Sequence, residues 1–466
     1  MKINVFKFGG SCLKSYNSFK KIADIIEIYK KEKMVFVASA LNGITNKLIE
    51  LANNANDNEQ FSKIIKDIKD KHLNIINEVF QNNELLKKDA IQFINTSISE
   101  IVNIISEIKE FGLEKYYLDY VMSYGEKMST YLLYLFIEYI GIPSDYLVGE
   151  DLIITDTNFG NALPIWDLTR NRIKNEIVPT LMDPNNNTIF CITGFIGRNK
   201  IGYTTTLGRG GSDFTATILA QCIYDLIPNC EIKVVLWKDV GGIYSTNPDY
   251  TKTPTFITHL SYDEAKEMAF YGANILHPKC LFGLDTRKIP VEIRNFDNPL
   301  SENYSIISEK PSPFEVTGIS TIKNVSLITV SSSSLVSTPG VLARIFSIMG
   351  KNDINVSMVA QASSEVNTTF TVDKNDGKKA YELLLEDNFF KGWAEIQLQE
   401  VSIIAITGKG VSKAHIQSKI FEALAKENIK TIALSQSSDG LNLSVVLKTD
   451  DIKKAVNALN ENLKNP

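Results

Sequence analysis

A lysine stands just ahead of a glycine pair near the start of the chain, in "INVFKFGGSC", where Val5, Phe6, Lys7 and Phe8 otherwise read as a buried strand. A charge there is costly unless an anion meets it. Gly9, Gly10 and Ser11 let the backbone turn with positive φ and bring bare N–H groups up to a ligand. The helix predicted over "SFKKIADIIEIYKK", with Phe19, Ile22, Ile25, Ile26 and Tyr29 on one stripe, sets a helix N-terminus beside them. A tight turn with a snorkelling lysine would use the same residues. Farther along, "TTTLGRGGSDFTATILA" arranges Gly208, Gly210 and Gly211 around Arg209, with Ser212 and Asp213 at the start of another helix. Ser212 and Asp213 suit an N-cap, an ordinary structural task. An arginine between glycines is less ordinary, because its planar fork matches a carboxylate or a phosphate. Two glycine-lined helix starts imply two anionic moieties facing each other. That suits phosphoryl transfer, whose catalysis is mostly positioning and charge neutralisation.

Other chemistries find less support. A Walker A pattern, the protein-kinase signatures and a Rossmann GxGxxG are all absent. His72, His259, His277 and His415 are dispersed, so no protein-built metal site is expected. The chain of 466 residues is too long for one core, and about two to four domains are expected. A hydrophobic fraction of 44% and a charged fraction of 22% are ordinary for a globular protein. A formal charge of −5 leaves no basic footprint for nucleic acid or an anionic membrane. Five scattered cysteines without a CxxC pair read as reduced thiols in a cytoplasmic protein. The opening strand leaves no room for a signal peptide, and "YLLYLFIEYIGI" is too short to span a bilayer.

The elements that must position these residues alternate between strand and helix over the first 300 residues. "KMVFVASA" reads as a second buried strand, followed by Gly43 and a helix from near Thr45. Residues 55–110 are helix-periodic and polar, an excursion on the sheet's surface. "YGEKMSTYLLYLFIEYIG" is a strong helix closed by Gly141. "TIFCITGFIG" and "EIKVVLWKDVGGIY" supply later strands, with a helix from "SDFTATILAQCIY" between them. The alternation predicts an α/β layered domain with a mainly parallel sheet. "NPLSENYSIISEKPSPFE" then reads as a linker. Beyond it an internal repeat aligns Ile345 and Phe346 with Ile420 and Phe421, Ile354 with Ile429, and Gln361 with Gln436. Each copy reads strand, helix, strand, hairpin strand, with a final helix completing the second. The outline is ferredoxin-like, and suits ligand-binding or dimerising units.

Six ordered motifs, "KFGGSCL", "VASALNGITN", "SYGEKMS", "TTTLGRGGSDFTA", "WKDVGGIYSTNPD" and "YGANILHPK", resemble those of aspartate kinases of the amino-acid kinase superfamily. The tandem repeat resembles their paired ACT domains. The resemblance implies a three-layer catalytic domain over 1–300, a linker and first ACT domain over 301–395, and a second over 396–466, with strand exchange that could include 314–322. It implies MgATP-dependent phosphorylation of L-aspartate to 4-phospho-L-aspartate, the first step of lysine, threonine and methionine biosynthesis. Lys7 would contact the transferring phosphate, Gly9, Gly10 and Ser11 would cradle the nucleotide phosphates, and Asp213 would orient Lys7. Ser39, Thr45 and Ser212 match aspartate-pocket positions, Arg209 would clamp a carboxylate, and Glu126 would hold the ammonium. Without the motif, Glu126 reads equally as a first-turn glutamate on a helix dipole. Lys238, Asp239 and Tyr244 would border the ATP ribose and base, although Tyr244 also suits a core.

The pattern departs from the family on the nucleotide side. Lys238 stands where threonine is frequent, Asp249 where arginine is, and Asn274 where lysine is, so Lys238 could supply the cation that Asn274 lacks. In the repeats, Gln361 and Gln436 match glutamines of threonine-inhibited members, and Ser357 stands where lysine-inhibited members often carry Asp. A neutral Gln–Ser surface suits a hydroxyl, so threonine is favoured over lysine as effector. The glutamines could equally bond hairpin backbone. ACT pairing implies a homodimer, and no homoserine dehydrogenase module is expected after the second repeat. Another acid as substrate, or a catalytically silent amino-acid sensor, are the competing readings.

Overall fold

The computed structural model describes every residue except 252, 273–275, 333–337, 363–366 and 464–466. The chain separates into two compact units, Met1–Ile243 with Leu276–Lys310, and Tyr244–Ile275 with Pro311–Pro466.

The first unit is built on strands that are hydrophobic almost throughout, the pattern of a parallel sheet covered on both faces. In chain order its main elements are β1 (Lys2–Phe8), α1 (Tyr16–Tyr29), β2 (Lys33–Ala38), α2 (Ile44–Asn53), α3 (Asn58–Val79), α4 (Glu84–Phe111) and α5 (Lys115–Tyr139). There follow β3 (Ser144–Leu147), β4 (Ile189–Thr193), α6 (Gly211–Leu226), β5 (Glu231–Lys238), β6 (Val291–Asn295) and β7 (Ser305–Ser308). Within this unit the strands run in the order β7-β6-β5-β1-β2-β4-β3. All its pairs are parallel except β6 with β7. β1 lies between β2 and β5, with Lys7 opposite Val37 and Leu236. The polar excursion forms α3 and α4, each started by a side-chain cap, Asp57 and Asn83. Gly141, at φ 81°, closes α5, with Ile142 N–H donating to the Ile137 carbonyl at 3.1 Å in a Schellman arrangement. Phe6, Phe8, Phe19, Phe36, Phe136 and Trp237 anchor the core between sheet and helices. The stretch expected to be a linker is partly ordered: Ser305–Ser308 forms β7 because it finds an antiparallel partner at the sheet edge.

In the second unit, α7 (Tyr262–Phe270) begins with a capping box of Ser261 and Glu264. Glu264 is fully buried, and its carboxylate also accepts from Ser312 N–H at 2.9 Å and Thr317 hydroxyl at 2.6 Å. The repeats supply β8 (Gly318–Ser331), α8 (Val341–Lys351), β9 (Val356–Gln361), β10 (Asn367–Asp373) and α9 (Lys374–Glu386). They continue with β11 (Glu395–Thr407), α10 (Ala414–Lys426), β12 (Ala433–Gln436), β13 (Asn442–Leu447) and α11 (Ile452–Asn462). These strands form one antiparallel sheet in the order β9-β10-β8-β11-β13-β12. Both copies close with a helix. The first copy's α9, which the pattern of its sequence left unassigned, packs Ala380 and Leu384 against Phe370 and Ile345. Separate cores under α8–α9 and under α10–α11 give each repeat its own hydrophobic centre. β8 pairs with β11 along its whole length, with an irregularity between Ile322 and Val325. Among the described residues no helix is long and apolar enough to cross a membrane.

Candidate active site

The two glycine turns work differently from each other. Gly9 has φ −72° and ψ 167°, and Gly10 is likewise outside the positive-φ region, so the expected left-handed turn is not formed. What Gly10 supplies is room: a Cβ there would lie 2.6 Å from the Ala40 carbonyl oxygen and 2.9 Å from Asn42 N. A 3₁₀ turn, Gly10–Leu13, follows, and α1 begins only at Tyr16, so the helix end expected beside Gly9–Ser11 lies farther along. Gly210 does adopt φ 73° as the N-cap of α6, and a Cβ there would meet His277 Cβ at 2.6 Å. Ser212 and Asp213 are therefore first-turn residues rather than caps, and no side chain caps this helix.

That placement turns Asp213 toward the end of the sheet. Lys7, near the C-terminal end of β1, has its Nζ 2.8 Å from Asp213 Oδ1. Lys238, the last residue of β5, has its Nζ 3.1 Å from Asp213 Oδ2. One buried carboxylate thus spans two ammonium groups. Burial alone would lower the Lys7 pKa, but attraction and hydrogen bonding to Asp213 leave it raised. Burial would raise that of Asp213, and the charges of Lys7 and Lys238 bring it below the ordinary value. Both shifts favour the charged forms of Lys7 and Asp213.

Glu126 occupies the other end. It lies well inside α5, which begins at Lys115, so it is not a first-turn dipole glutamate. Its side chain is buried, with Oε1 accepting from Ala40 N–H at 3.1 Å and Oε2 without a hydrogen-bond partner among the described residues. Burial pushes its pKa up to about 8, against weaker opposition from the Ala40 N–H and the charge of Lys7.

Between these ends lies a cavity of about 450 Å³, lined by Lys7, Ser39, Thr45, Glu126, Arg209, Ser212 and Asp213 among the residues singled out by sequence. Ser39 is held from below by the Ser129 hydroxyl, which donates to its carbonyl at 2.7 Å. Gly9, Gly10 and Ser11 adjoin the cavity without lining it. Asp239 is exposed. Tyr244 belongs to the second unit, its ring edge-on to Phe256 at 5.4 Å between centroids. Asp249 is an exposed residue of that unit whose N–H donates to Asn247 Oδ1 at 2.9 Å, and Asn274 lies outside the described residues.

Sequence reasoning missed several contributors. Phe195 lines the cavity in the left-handed region, φ 69°, a strained conformation for a bulky residue. Its N–H donates to Thr215 Oγ1 at 3.0 Å, and Gly211 fits beneath it, since a Cβ there would come 2.6 Å from the ring. Asp119, buried in α5, accepts from Gly160 N–H at 2.9 Å and from Thr206 N–H and hydroxyl at 2.8 Å each, fixing two cavity-lining segments. It precedes Glu126 by two helical turns on the same face, a spacing that could have marked it. In the repeats, Gln361 Nε2 donates to Thr368 Oγ1 at 3.2 Å, the Ser357 and Thr371 hydroxyls lie 2.8 Å apart, and Gln436 Oε1 accepts from Gln417 Nε2 at 3.0 Å. Both glutamines end edge strands of the same sheet. Among the described residues no group of three acidic, cysteine or histidine side chains could hold a metal ion.

Comparison with known proteins points one way. A family model described as "Amino acid kinase family" matches residues 2–295, and one described as "ACT domain" matches 328–387 and 404–463. The chain is 27% identical to lysine-sensitive aspartokinase 3 of Escherichia coli, covering 99% of each chain. It is 28% identical to the chloroplastic bifunctional aspartokinase/homoserine dehydrogenase 2 of Arabidopsis thaliana, covering 98% of this chain and 50% of that protein. It therefore spans about half the length of such bifunctional relatives. Among solved structures, E. coli aspartokinase III with aspartate and ADP (R-state) matches with a TM-score of 0.81 at 25% identity, covering 99% of this chain and 100% of that one. The same enzyme with lysine and aspartate (T-state) matches with a TM-score of 0.73 at 25% identity, covering 100% of both.

Proposed function

The chain belongs to the amino acid kinase family, and from that premise we propose that it is an aspartate kinase, transferring the γ-phosphoryl group of MgATP to the β-carboxylate of L-aspartate. One observation carries the substrate reading: Glu126, buried with one carboxylate oxygen unpaired, shares a cavity with Arg209 and the Lys7–Asp213 pair. A substrate bearing both ammonium and carboxylate would complete Glu126 and engage the fork of Arg209. Its second carboxylate is left to face Lys7. Ser39, Thr45 and Ser212 are assigned to the amino-acid side, and Gly9, Gly10, Ser11, Asp239 and Tyr244 to the nucleotide side.

In the reaction a β-carboxylate oxygen forms a bond to the γ-phosphorus as the bond to the bridging oxygen breaks, and ADP keeps that electron pair. The attacking carboxylate is already ionised at neutral pH, so no general base is required. Lys7, held by Asp213, neutralises charge on the moving phosphoryl group. Asp213 is engaged by two lysines, so the donor set fits a magnesium ion (Mg2+) that arrives with ATP and keeps its waters. When bound, that ion supplies charge neutralisation at the nucleotide phosphates.

Catalysis is assigned to residues 1–300 and regulation to 301–395 and 396–466, as a homodimer. The effector is an amino acid, threonine ahead of lysine, since Ser357 and the two glutamines offer neutral hydrogen-bonding groups without an acid for an ε-ammonium. The lysine named with a structural neighbour makes lysine the comparison to run. A coupled assay of ADP release across a panel of amino acids tests the activity. Aspartate should turn over; turnover of glutamate and not aspartate would overturn the substrate. Rates unaffected by millimolar threonine and millimolar lysine would remove the feedback, and inhibition by lysine alone would reverse the preference.

A further inference from the structure

Asp119 is a buried carboxylate beside the cavity that the phosphoryl transfer leaves unused. Three neutral donors meet it, the Thr206 N–H and hydroxyl at 2.8 Å each and the Gly160 N–H at 2.9 Å. Burial pushes its pKa above the ordinary carboxylate value, and these bonds offset that only in part. Meeting a buried acid with neutral donors is a costly arrangement. The segments that Asp119 holds give the reason for it. α5 carries Asp119 two turns before Glu126, about 10 Å away along one face of the same helix.

The segments tied to Asp119 frame Arg209. Thr206 stands three residues before it, and the Thr206 carbonyl accepts from Ala162 N–H at 2.9 Å. Leu207 N–H donates to the Phe195 carbonyl at 2.8 Å, and Gly211 N–H closes a turn on the Gly208 carbonyl at 2.9 Å. Gly208, at φ 76°, has no room above it: a Cβ would lie 2.7 Å from Asn161 Oδ1 and 3.0 Å from the Gly160 carbonyl oxygen. Residues 160–162 and 206–211 are therefore packed and bonded as one piece, and Arg209 lies within its turn. Gly160, Thr206, Gly208 and Arg209 all line the cavity. Asp119 ties that piece to α5, and α5 also carries Glu126.

We propose that Asp119 is a positioning residue for aspartate: it sets the separation of the Arg209 fork and the Glu126 carboxylate by bonding the Arg209 turn to the helix that holds Glu126. The inference rests on the aspartate kinase reading and deepens it. The ammonium and α-carboxylate of an amino acid sit on one carbon at a fixed spacing. An acid and a bidentate arginine engage both groups only when their own separation is fixed. Asp119 itself touches no substrate, and no bond forms or breaks at it. Its effect falls on aspartate rather than on the lysine end. α6 is buried along nearly its whole length, which keeps Asp213 in place when the turn ahead of it shifts.

Steady-state kinetics of the full chain with Asp119→Ala and Asp119→Asn test this. Asp119→Ala should raise the KM for aspartate about 30-fold, with kcat and the KM for ATP within about threefold of wild type. Melting falls for a purely structural role as well, so the split between the two substrates is the deciding readout. Asp119→Asn should recover most of the loss, because its amide oxygen can accept from both N–H groups while its NH2 donates to the Thr206 hydroxyl. In an Arg209→Lys background, where a point charge replaces the fork, Asp119→Ala should raise the aspartate KM by less than about threefold more. An aspartate KM for Asp119→Ala within about threefold of wild type overturns the proposal, as do equal losses for aspartate and ATP. So does an Asp119→Asn as weak as Asp119→Ala, or an undiminished loss in the Arg209→Lys background. If Asp119→Ala does not fold, Asp119→Ser, which shortens the reach to the three donors, is read by the same split. A wild-type chain inert toward aspartate would sink the function and this inference together; an active wild type with an unaltered aspartate KM in Asp119→Ala would sink only the inference.

Discussion

The two ends of the cavity keep buried charges in opposite ways. At the lysine end, Asp213 is built into the fold as counter-ion to Lys7 and Lys238, and the pairing favours the charged forms of Lys7 and Asp213. At the glutamate end, the carboxylate accepts from the Ala40 N–H while its second oxygen has no partner among the described residues, and burial keeps it largely protonated at neutral pH. The difference teaches what each end asks of its ligand. A phosphoryl group must find positive charge already in position, because reorganisation at the moment of transfer would cost rate. An amino acid brings its own ammonium, so the protein need only leave a place for it.

The harshest way to break this contrast is Asp213→Asn. It leaves two buried ammonium groups sharing a neutral amide, a loss of about 3–5 kcal/mol by analogy with other broken buried pairs. We expect turnover to fall about 1000-fold or more and the melting temperature to drop, read by coupled kinetics and calorimetry. A variant that retained wild-type kcat would show that the lysine end does not depend on its internal counter-ion.

Glu126→Gln sharpens the other side. Its amide oxygen still accepts from Ala40, but the charge that would meet an ammonium is gone, so the KM for aspartate should rise about 100-fold while kcat changes little. On the proposed assignment, Glu126 of the wild type has to release its proton to pair with the substrate ammonium. Apparent affinity for aspartate should therefore strengthen as pH rises toward about 8, and this dependence should vanish in the variant. Stability should move the other way. A carboxyl whose folded pKa lies above its unfolded value favours the fold while protonated, and that contribution fades as pH climbs from near 4.5 toward about 8. Without aspartate, Glu126→Gln should melt higher than wild type at pH 8 and level with it at pH 5. Equal melting at both pH values would mean that the carboxylate is better solvated than its burial implies.

What the sequence disclosed follows the same division. Lys7, Arg209 and Asp213 stood out because each sits in a short, chemically odd stretch, and short stretches are what a sequence displays. The parallel sheet was legible because strands buried on both faces are hydrophobic throughout. Illegible were the features made by distant partners. Nothing local to Lys238 says that its ammonium reaches Asp213, and nothing local to Asp119 says that it ties down Gly160 and Thr206. β7 looked like a linker because its pairing with β6 is worth more than the coil preference of its flanking Pro and Ser. Gly9 and Gly10 were misjudged for a related reason. Glycine advertises conformational freedom, yet neither adopts positive φ, and at Gly10 the demand is for space against Ala40 and Asn42, which no local rule encodes.

That misjudgement supplies the mildest test, because Gly10 packs against the segment that holds Glu126. A Cβ on Gly10 would strike the Ala40 carbonyl oxygen and Asn42 N, and Ala40 N–H is the donor that holds Glu126. From the other side Ala40 is closed in by α5, where a Cβ on Gly125 would come 2.8 Å from Ala40 Cβ, so the segment has little freedom to retreat. Gly10→Ala should therefore push the 40–42 segment rather than distort the Gly10 backbone, whose φ any residue can adopt. The cost of such overpacking is about 1–3 kcal/mol. Because that segment carries the Ala40 N–H that meets Glu126, we expect the KM for aspartate to rise a few-fold with kcat nearly unchanged. A fall in kcat with an unaltered KM would instead place the strain at the lysine end, and the two ends would then be mechanically joined through Gly10 rather than separately built.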